Sequence, residues 1–86
     1  MYYVTTTDRD MSGWGKARGK TNKLIFPCDT YADALVVAEN AENRGDQKRV
    51  NIRSTKPHHN AEHYLAQIKT RAEYPSWYEK GYFKKG

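Results

Sequence analysis

Two short β-rich segments stand near the N-terminus, separated by a polar stretch that is rich in glycine. Residues 2–7 are almost all β-branched or aromatic, and residues 23–26 are mostly apolar, which is the composition of strands. Pro27 ends the second segment, because proline cannot donate to an interior ladder. The segments predict two antiparallel strands joined by a loop of about a dozen residues, and loops of that length in small domains are often functional.

The next segment has the pattern of an amphipathic helix. Thr30 with Asp33 three residues later forms a start like a capping box, and Asp29 is an alternative cap. Gly45 is suited to the position just past the end, and Arg44 to the negative pole of the helix dipole. The predicted helix has about four turns. Its apolar stripe consists of Tyr31, Ala34, Leu35, Ala38 and Ala41.

The second half of the chain contains a clear strand followed by an ambiguous segment. Residues 49–54 alternate with period two, so Val50 and Ile52 are predicted to face the helix. Residues 61–72 fit either a helix or a strand. We predict a strand, which pairs with 49–54 across a turn at 57–60. A single helical turn is then predicted at 76–80, capped by Ser76 and ended by Gly81, with Trp77 and Tyr78 closing the edge of the core.

These elements predict an α+β fold made of one domain that spans residues 1–86. The expected architecture is a small antiparallel sheet in the order ββαββ, with the main helix packed on one face and a short C-terminal helical turn. A domain of 86 residues has one core and buries only about two-thirds of the surface of its unfolded chain. Its stability is therefore expected to be modest.

The cellular compartment is suggested by the single cysteine and by the absence of long apolar runs. Cys28 has no internal disulfide partner, which favours a reducing compartment. The sequence contains neither a transmembrane run nor the basic and then apolar order of a signal peptide. We expect a cytoplasmic protein in a host cell, with no membrane partner.

The net charge of +5 is unevenly distributed along the sequence. Residues 1–27 hold five Lys/Arg and two Asp, a balance of +3, whereas residues 28–46 hold one Arg and five acids, a balance of −4. Residues 47–86 hold nine Lys/Arg and three Glu, a balance of +6. A folded protein with one acidic side and a basic remainder is suited to bind a polyanion or an acidic protein patch, although ordinary solvated charge explains the pattern equally well.

The glycine-rich stretch between the first two strands is the main candidate for partner binding. It lacks the Gly-Lys-Ser/Thr ending of a P-loop and the spacing of a dinucleotide fingerprint. A tryptophan flanked by glycines and cations is suited to base stacking with phosphate contacts, or to a protein interface. The alternative is that the indole folds back and caps the core. The candidate partner-binding residues, including two on the strand that follows the helix, are Trp14, Lys16, Arg18, Lys20, Arg49 and Arg53.

The evidence for catalytic or metal-binding residues is weaker than the evidence for partner binding. His58, His59 and His63 with Glu62 do not reach the convergence that zinc requires, since adjacent histidines point apart. Asp8 and Asp10 flank Arg9, which favours ion pairing or turn formation over acid–base work. Cys28 precedes the helix, but Asp29 beside it opposes a lowered thiol pKa. We expect no catalytic residue, no metal and no cofactor, and therefore not an enzyme.

Four stretches together resemble a group of short proteins from phages and prophages. They are the pattern T-D-x-x-M-S-G-W-G-x-A-x-G at 7–19, the helix start at 28–31, and segments 50–53 and 74–77. The resemblance covers nearly the whole chain. Proteins of this size and setting are similar to the small accessory factors that phages use against host defence, of which anti-CRISPR proteins are the best-known class. This implies a non-enzymatic α+β domain that binds a defence complex and blocks its nucleic-acid path, and it assigns no binding residue.

Three functional hypotheses follow from these observations. The first is a phage inhibitor that docks on a host protein or nucleoprotein complex, such as a CRISPR effector, through the loop Trp14–Lys20 and the basic strand face. The second is a direct nucleic-acid binder that uses the same residues. The third is a small enzyme using Asp8, Asp10 or His63. Exposed strand edges also make a homo-oligomer plausible.

Overall fold

The computed structural model describes residues 1–8, 21–58 and 64–84, with only the backbone described at Asp8 and Thr21. These described residues form four strands, one α-helix and one 3-10 turn, and the predicted α+β fold in the order ββαββ is confirmed. The elements in chain order are β1 (Tyr2–Asp8), β2 (Thr21–Cys28), α1 (Tyr31–Arg44), β3 (Gln47–Arg53), β4 (Tyr64–Ile68) and the C-terminal 3-10 turn (Pro75–Tyr78).

The strands form one sheet in the order β3-β1-β2-β4. The predicted antiparallel pair is confirmed, because β1 and β2 run antiparallel with Val4 opposite Phe26. β3 pairs antiparallel with the other edge of β1, where Ile52 lies opposite Val4. β1 and β2 are therefore the central strands, and β3 and β4 are the two edges.

The predicted hairpin between residues 49–54 and the following strand is wrong. β4 instead pairs parallel with β2, with Ile68 beside Ile25, so the sheet is mixed and not wholly antiparallel. After β3 has paired with β1, the outer edges of both β3 and β2 are free, and β4 joins the edge of β2. A connection from Ser54 to His63 is long enough to carry the chain across the sheet, whereas hairpins typically use two to five residues.

The ends of α1 are set by the predicted local signals. The side-chain oxygen of Thr30 accepts a hydrogen bond from the Asp33 backbone N–H at 3.1 Å. Gly45 ends the helix with a left-handed φ of 89°, which glycine adopts without the Cβ penalty of other residues. Both the N-cap and the C-terminal glycine are confirmed.

The predicted apolar stripe of α1 is partly wrong. The residues that α1 buries are Ala34, Val37, Asn40 and Ala41, whereas Tyr31 and Leu35 are 51% and 48% exposed. The helix is rotated so that Val37 takes the centre of the contact with the sheet. Tyr31 lies at the margin, edge-on to the Tyr2 ring with centroids 5.3 Å apart.

The core lies between α1 and one face of the sheet, and Trp77 closes it at one side. Trp77 is 2% exposed, and its ring stacks on Phe26 with centroids 4.6 Å apart. The 3-10 turn begins at Pro75, and no side chain caps it, so Ser76 does not have the capping role predicted for it. The prediction that Trp77 closes the core is confirmed. The other buried members of this core are Val4, Leu24, Cys28, Ala34, Val37 and Ala41.

Asn40 ties the 3-10 turn to the helix. Its Nδ2 donates to the backbone carbonyls of Trp77 at 2.7 Å and Glu79 at 2.8 Å. The side chain is fully buried, and its Oδ1 has no hydrogen-bond partner among the described residues. The buried Asn40 amide therefore donates to carbonyl groups at and just after the 3-10 turn. These bonds hold Trp77 in position against the helix.

The Asn40→Ala variant is expected to lower the free energy of unfolding by about 1–3 kcal/mol, because it removes the donor to the buried Trp77 carbonyl. The Glu79 carbonyl still accepts from the Tyr82 N–H. Chemical denaturation measures this loss. Glu39→Ala is the matched control, since Glu39 is the neighbouring helix residue and is exposed. Equal stability of the two variants would contradict the proposed tie.

Candidate nucleic-acid interface

One face of the sheet is opposite α1, and we call it the open face. The pairing register and the alternation of side chains along each strand place its members there. Three rungs cross it: Arg53–Tyr3–Pro27, Asn51–Thr5–Ile25–Ile68 and Lys48–Thr7–Lys23–Ala66. None of these described side chains is acidic, so the formal charge of the three rungs is wholly positive.

Lys23 lies in the middle of the open face and is held by its neighbours. Its Nζ donates to the Thr7 hydroxyl at 2.5 Å and lies 5.5 Å from the centroid of the Tyr64 ring. Burial lowers the pKa of Lys23, and the positive charges of Arg49, Lys48 and Arg53 lower it further. These three cations are therefore close enough to Lys23 to act on its charge.

Arg49 has an unusual backbone conformation within β3. Its φ is 53°, and the register between β1 and β3 shifts between Thr5 and Thr7 at this point, which makes a β-bulge. The Asn51 side chain donates to the Arg49 carbonyl at 3.1 Å. A left-handed conformation costs a non-glycine residue about 1–2 kcal/mol. An arginine at a bulge, where glycine would be less strained, is typical of functional positions.

The predicted binding residues fall into two groups. Arg49 and Arg53 are exposed on β3 as predicted, and the structure places them with Lys23 and Lys48, which sequence reasoning did not select. Four other predicted residues lie outside the described residues: Trp14, Lys16, Arg18 and Lys20. The segment that contains them is joined to the sheet directly beyond the rung of Thr7, Lys23 and Lys48, because β1 ends at Asp8 and β2 begins at Thr21.

A polar cavity of about 170 Å³ lies on the helix side of the sheet, at the end where β1 stops and β2 begins. Its lining includes three carboxamides, two cations and two aromatic rings. The Asn22 Oδ1 accepts from the Gln67 Nε2 at 2.8 Å, and the Gln47 Oε1 accepts from the Thr6 hydroxyl at 2.6 Å. The lining residues are Asn22, Leu24, Arg44, Gln47, Gln67, Lys69, Tyr74 and Trp77.

A wider groove of about 600 Å³ runs between α1 and the edge strand β3. Its apolar floor includes Val50 and Ile52, and Leu35 on the helix is 48% exposed beside them. Glu39 and Glu42 give one wall an acidic rim. The groove therefore differs in character from the open face, because it combines apolar surface with negative charge.

Cys28 and Tyr78 form a buried pair at the far end of β2. The Cys28 thiol is 2% exposed and donates to the Phe26 carbonyl at 3.4 Å, while the Tyr78 hydroxyl donates to the Pro27 carbonyl at 3.0 Å. Burial raises the pKa of the Cys28 thiol to about 11, and the negative charge of Asp33 adds to the effect. Burial also raises the pKa of Tyr78. This thiol is a structural group and not an activated nucleophile.

Cys28 is expected to resist thiol reagents in the folded protein. The thiolate is the reactive form, and a pKa of about 11 leaves about one thiol in a thousand ionised at pH 8. Labelling with a chromogenic disulfide is therefore expected to be at least about 100-fold slower in the folded state than in denaturant. The chain has one cysteine, so the whole signal reports on Cys28. Labelling at the unfolded rate would contradict its burial.

The described part of the chain holds no group of three His, Cys, Asp or Glu side chains that could bind a metal ion. His58 is exposed, whereas His59, Glu62, His63, Arg9 and Asp10 lie outside the described residues. Within the described ranges, no helix has the length and apolar character needed to cross a membrane.

Comparison of the chain with known proteins gives no further assignment. No protein-family model matches it, and neither a curated protein nor a solved structure matches it at a significant level. The function is therefore inferred from the geometry and charge of the surfaces described above.

Proposed function

We propose that this protein is a non-enzymatic binding protein whose open face binds single-stranded nucleic acid. The observation that carries the proposal is the cluster of Lys23, Lys48, Arg49 and Arg53 on one sheet face, with no acidic side chain in its three described rungs. Phosphate contacts supply most of the affinity of nonspecific nucleic-acid binding. The strained backbone of Arg49 supports a functional role for this face.

The open face also offers surface for bases. Tyr3 lies on the Arg53 rung, and Ile68 at the β4 edge is 49% exposed. Proteins that bind single strands combine a cationic groove with aromatic and apolar side chains on which bases stack. The centre of the open face is buried, since Thr5, Thr7 and Ile25 are 6%, 2% and 4% exposed. The accessible surface therefore lies at its two edges, with cations on β3 and the half-exposed Ile68 on β4.

Salt dependence tests this proposal directly. If the four cations each contact one phosphate, the logarithm of the affinity for a short single strand falls against the logarithm of salt concentration with a slope of about −3. Fluorescence anisotropy with a labelled oligonucleotide at several salt concentrations measures this slope. A slope near zero, or no binding at low salt, would contradict the proposal.

A second candidate function is the inhibition of a host defence complex by protein docking. The specific observation in its favour is the groove between α1 and β3, where exposed Leu35 and an acidic rim lie beside an edge strand. This combination is suited to an extended basic segment of a partner protein, which can add a strand to the edge. The resemblance of the sequence to small phage accessory proteins also supports this candidate.

A pull-down with and without nuclease treatment separates the two candidates, and Trp14→Ala tests whether the loop takes part. If Trp14 anchors a protein partner, the variant is expected to lose capture of a host complex, because interface tryptophans are frequent hot spots worth 2 kcal/mol or more, about 30-fold in affinity. The measurement is an affinity pull-down from host lysate, with and without nuclease treatment. Thermal unfolding serves as the control, since a large loss of stability would place the indole in the core. Capture that nuclease abolishes would favour direct nucleic-acid binding.

A further inference from the structure

We infer that the polar cavity between α1 and the β2–β4 edge is a binding site for a single nucleotide. The base would lie among the three carboxamides, and the phosphate at the mouth beside Arg44 and Lys69. The inference rests on the proposed function in one respect, since a bound strand is one source of the nucleotide; a free nucleoside monophosphate is the other.

The carboxamides make the cavity selective for a hydrogen-bonding ring. Asn22 is 1% exposed and Gln47 is 8% exposed, yet both side chains line the cavity. Gln47 is held within the protein, because it accepts from Thr6 and donates to Asp46 at 3.3 Å. The Asn22 Nδ2 donor and the Gln67 Oε1 acceptor are the complementary pair that can recognise the edge of a base. The bond from Gln67 to Asn22 fixes the orientation of both groups. A ligand therefore meets an ordered set of polar atoms and not a random polar surface.

The two cations favour a negatively charged ligand. Arg44 contacts Asp46 through Nε at 2.8 Å and 2.9 Å, which holds the guanidinium in place beside the Trp77 ring, 5.2 Å from its centroid. Lys69 lies 5.0 Å from the centroid of the Tyr74 ring. Asp46 does not line the cavity, and none of its described lining residues is acidic. Asp46 offsets the charge of Arg44 through this ion pair, so Lys69 supplies the net positive charge of the lining that favours a phosphate.

The volume limits the size of the ligand. Pockets for drug-sized molecules span about 300–1,000 Å³, whereas this cavity has about 170 Å³. It can enclose one ring system and leaves the remainder of a larger ligand at the mouth. A nucleotide with its base inserted and its phosphate outside fits this limit.

The cavity and the open face are connected through the strands. Asn22 in the cavity precedes Lys23 on the open face, and Gln47 in the cavity precedes Lys48 on the open face. Neighbouring residues of a strand point to opposite faces. The cavity and the open face therefore lie on opposite sides of the same end of the sheet.

The experiment uses nucleoside 5′-monophosphates, the matching nucleosides and inorganic phosphate as separate probes. Binding is followed by the indole N–H resonance of Trp77, which the Trp14→Phe variant distinguishes from that of Trp14. We expect at least one monophosphate to bind about tenfold or more tightly than inorganic phosphate, which is the effect of a good contact to a base edge. Equal binding of inorganic phosphate, or no saturation by any monophosphate, would overturn the inference.

Two variants assign the effect to the cavity. Gln67→Met is expected to remove the preference among bases, and Lys69→Gln to weaken monophosphates without changing nucleosides. Lys56→Gln is the matched control, since Lys56 is exposed and does not line the cavity. Thermal unfolding confirms that each variant is folded. Unchanged base preference in Gln67→Met would overturn the inference.

A parallel titration with a short oligonucleotide separates this inference from the proposed function. Binding of the oligonucleotide without any response to monophosphates overturns the cavity site and leaves the open face supported. Binding of monophosphates without the oligonucleotide supports the cavity as a site for a free nucleotide and overturns the proposed function.

Discussion

Reversal of both charges in Arg49→Glu/Arg53→Glu is expected to reduce affinity for a single-stranded oligonucleotide by about 100-fold or more at low salt. The change removes two phosphate contacts and adds two repulsive charges, and each contact contributes severalfold through counterion release. The slope of affinity against salt is expected to fall by about half, because only Lys23 and Lys48 remain. Anisotropy titrations of the two proteins measure both effects.

Unlike its affinity for the oligonucleotide, the stability of the double variant is not expected to fall. Four like charges repel one another on the open face, and the neighbouring cations lower the pKa of Lys23. Replacing two of them with carboxylates turns repulsion into attraction, so thermal unfolding is expected to occur at the same temperature or slightly higher. A loss of binding together with a loss of folding would not support the interface.

Lys80→Glu/Lys84→Glu is the matched control for this experiment. It changes the net charge by the same amount at two exposed lysines beside the C-terminal 3-10 turn. If the open face is the interface, this variant loses much less affinity than the β3 variant. Equal losses in both variants would mean that net charge alone governs binding, which would contradict a defined site.

Local signals in the sequence predicted the individual elements well. Thr30 and Gly45 act through bonds and dihedral angles within a few residues of the helix ends, so their effect does not depend on the rest of the fold. The position of β4 depends instead on which of two free strand edges it joins, the outer edge of β3 or that of β2. That choice is made by ladder hydrogen bonds between backbones, and the alternation of side chains does not encode it.

The candidate site was predictable only in part for the same reason. Arg49 and Arg53 were found because they alternate with Val50 and Ile52 on one strand. Lys23 and Lys48 join them because both lie opposite Thr7, on either side of β1. That relation depends on the sheet register and is not visible in either strand alone. The left-handed conformation of Arg49 likewise arises from the bulge and has no local sequence signal.

The second large effect is a loss of stability, which is expected for Trp77→Ala. It too depends on tertiary contacts. Trp77 packs against Phe26 and lies edge-on to Phe83, with centroids 5.3 Å apart, while Arg44 covers the ring from the helix. Truncating a buried tryptophan typically costs about 3–5 kcal/mol. A domain of this size has about 5–10 kcal/mol in total, so the variant loses much of its stability.

Thermal unfolding is expected to show a decrease in Tm of at least about 12 °C for Trp77→Ala, since each kcal/mol corresponds to about 4–8 °C in a domain of this size. Tyr82→Ala is the control, because Tyr82 belongs to the same aromatic group but is 57% exposed, and its loss is expected to stay within about 1 kcal/mol. Similar effects of the two variants would contradict the closure of the core by Trp77. The cations of the open face lie across the sheet from Trp77. Below its Tm, Trp77→Ala is therefore expected to keep the salt dependence of oligonucleotide binding that the open face supplies, whereas nucleotide binding in the polar cavity, which Trp77 lines, is expected to weaken.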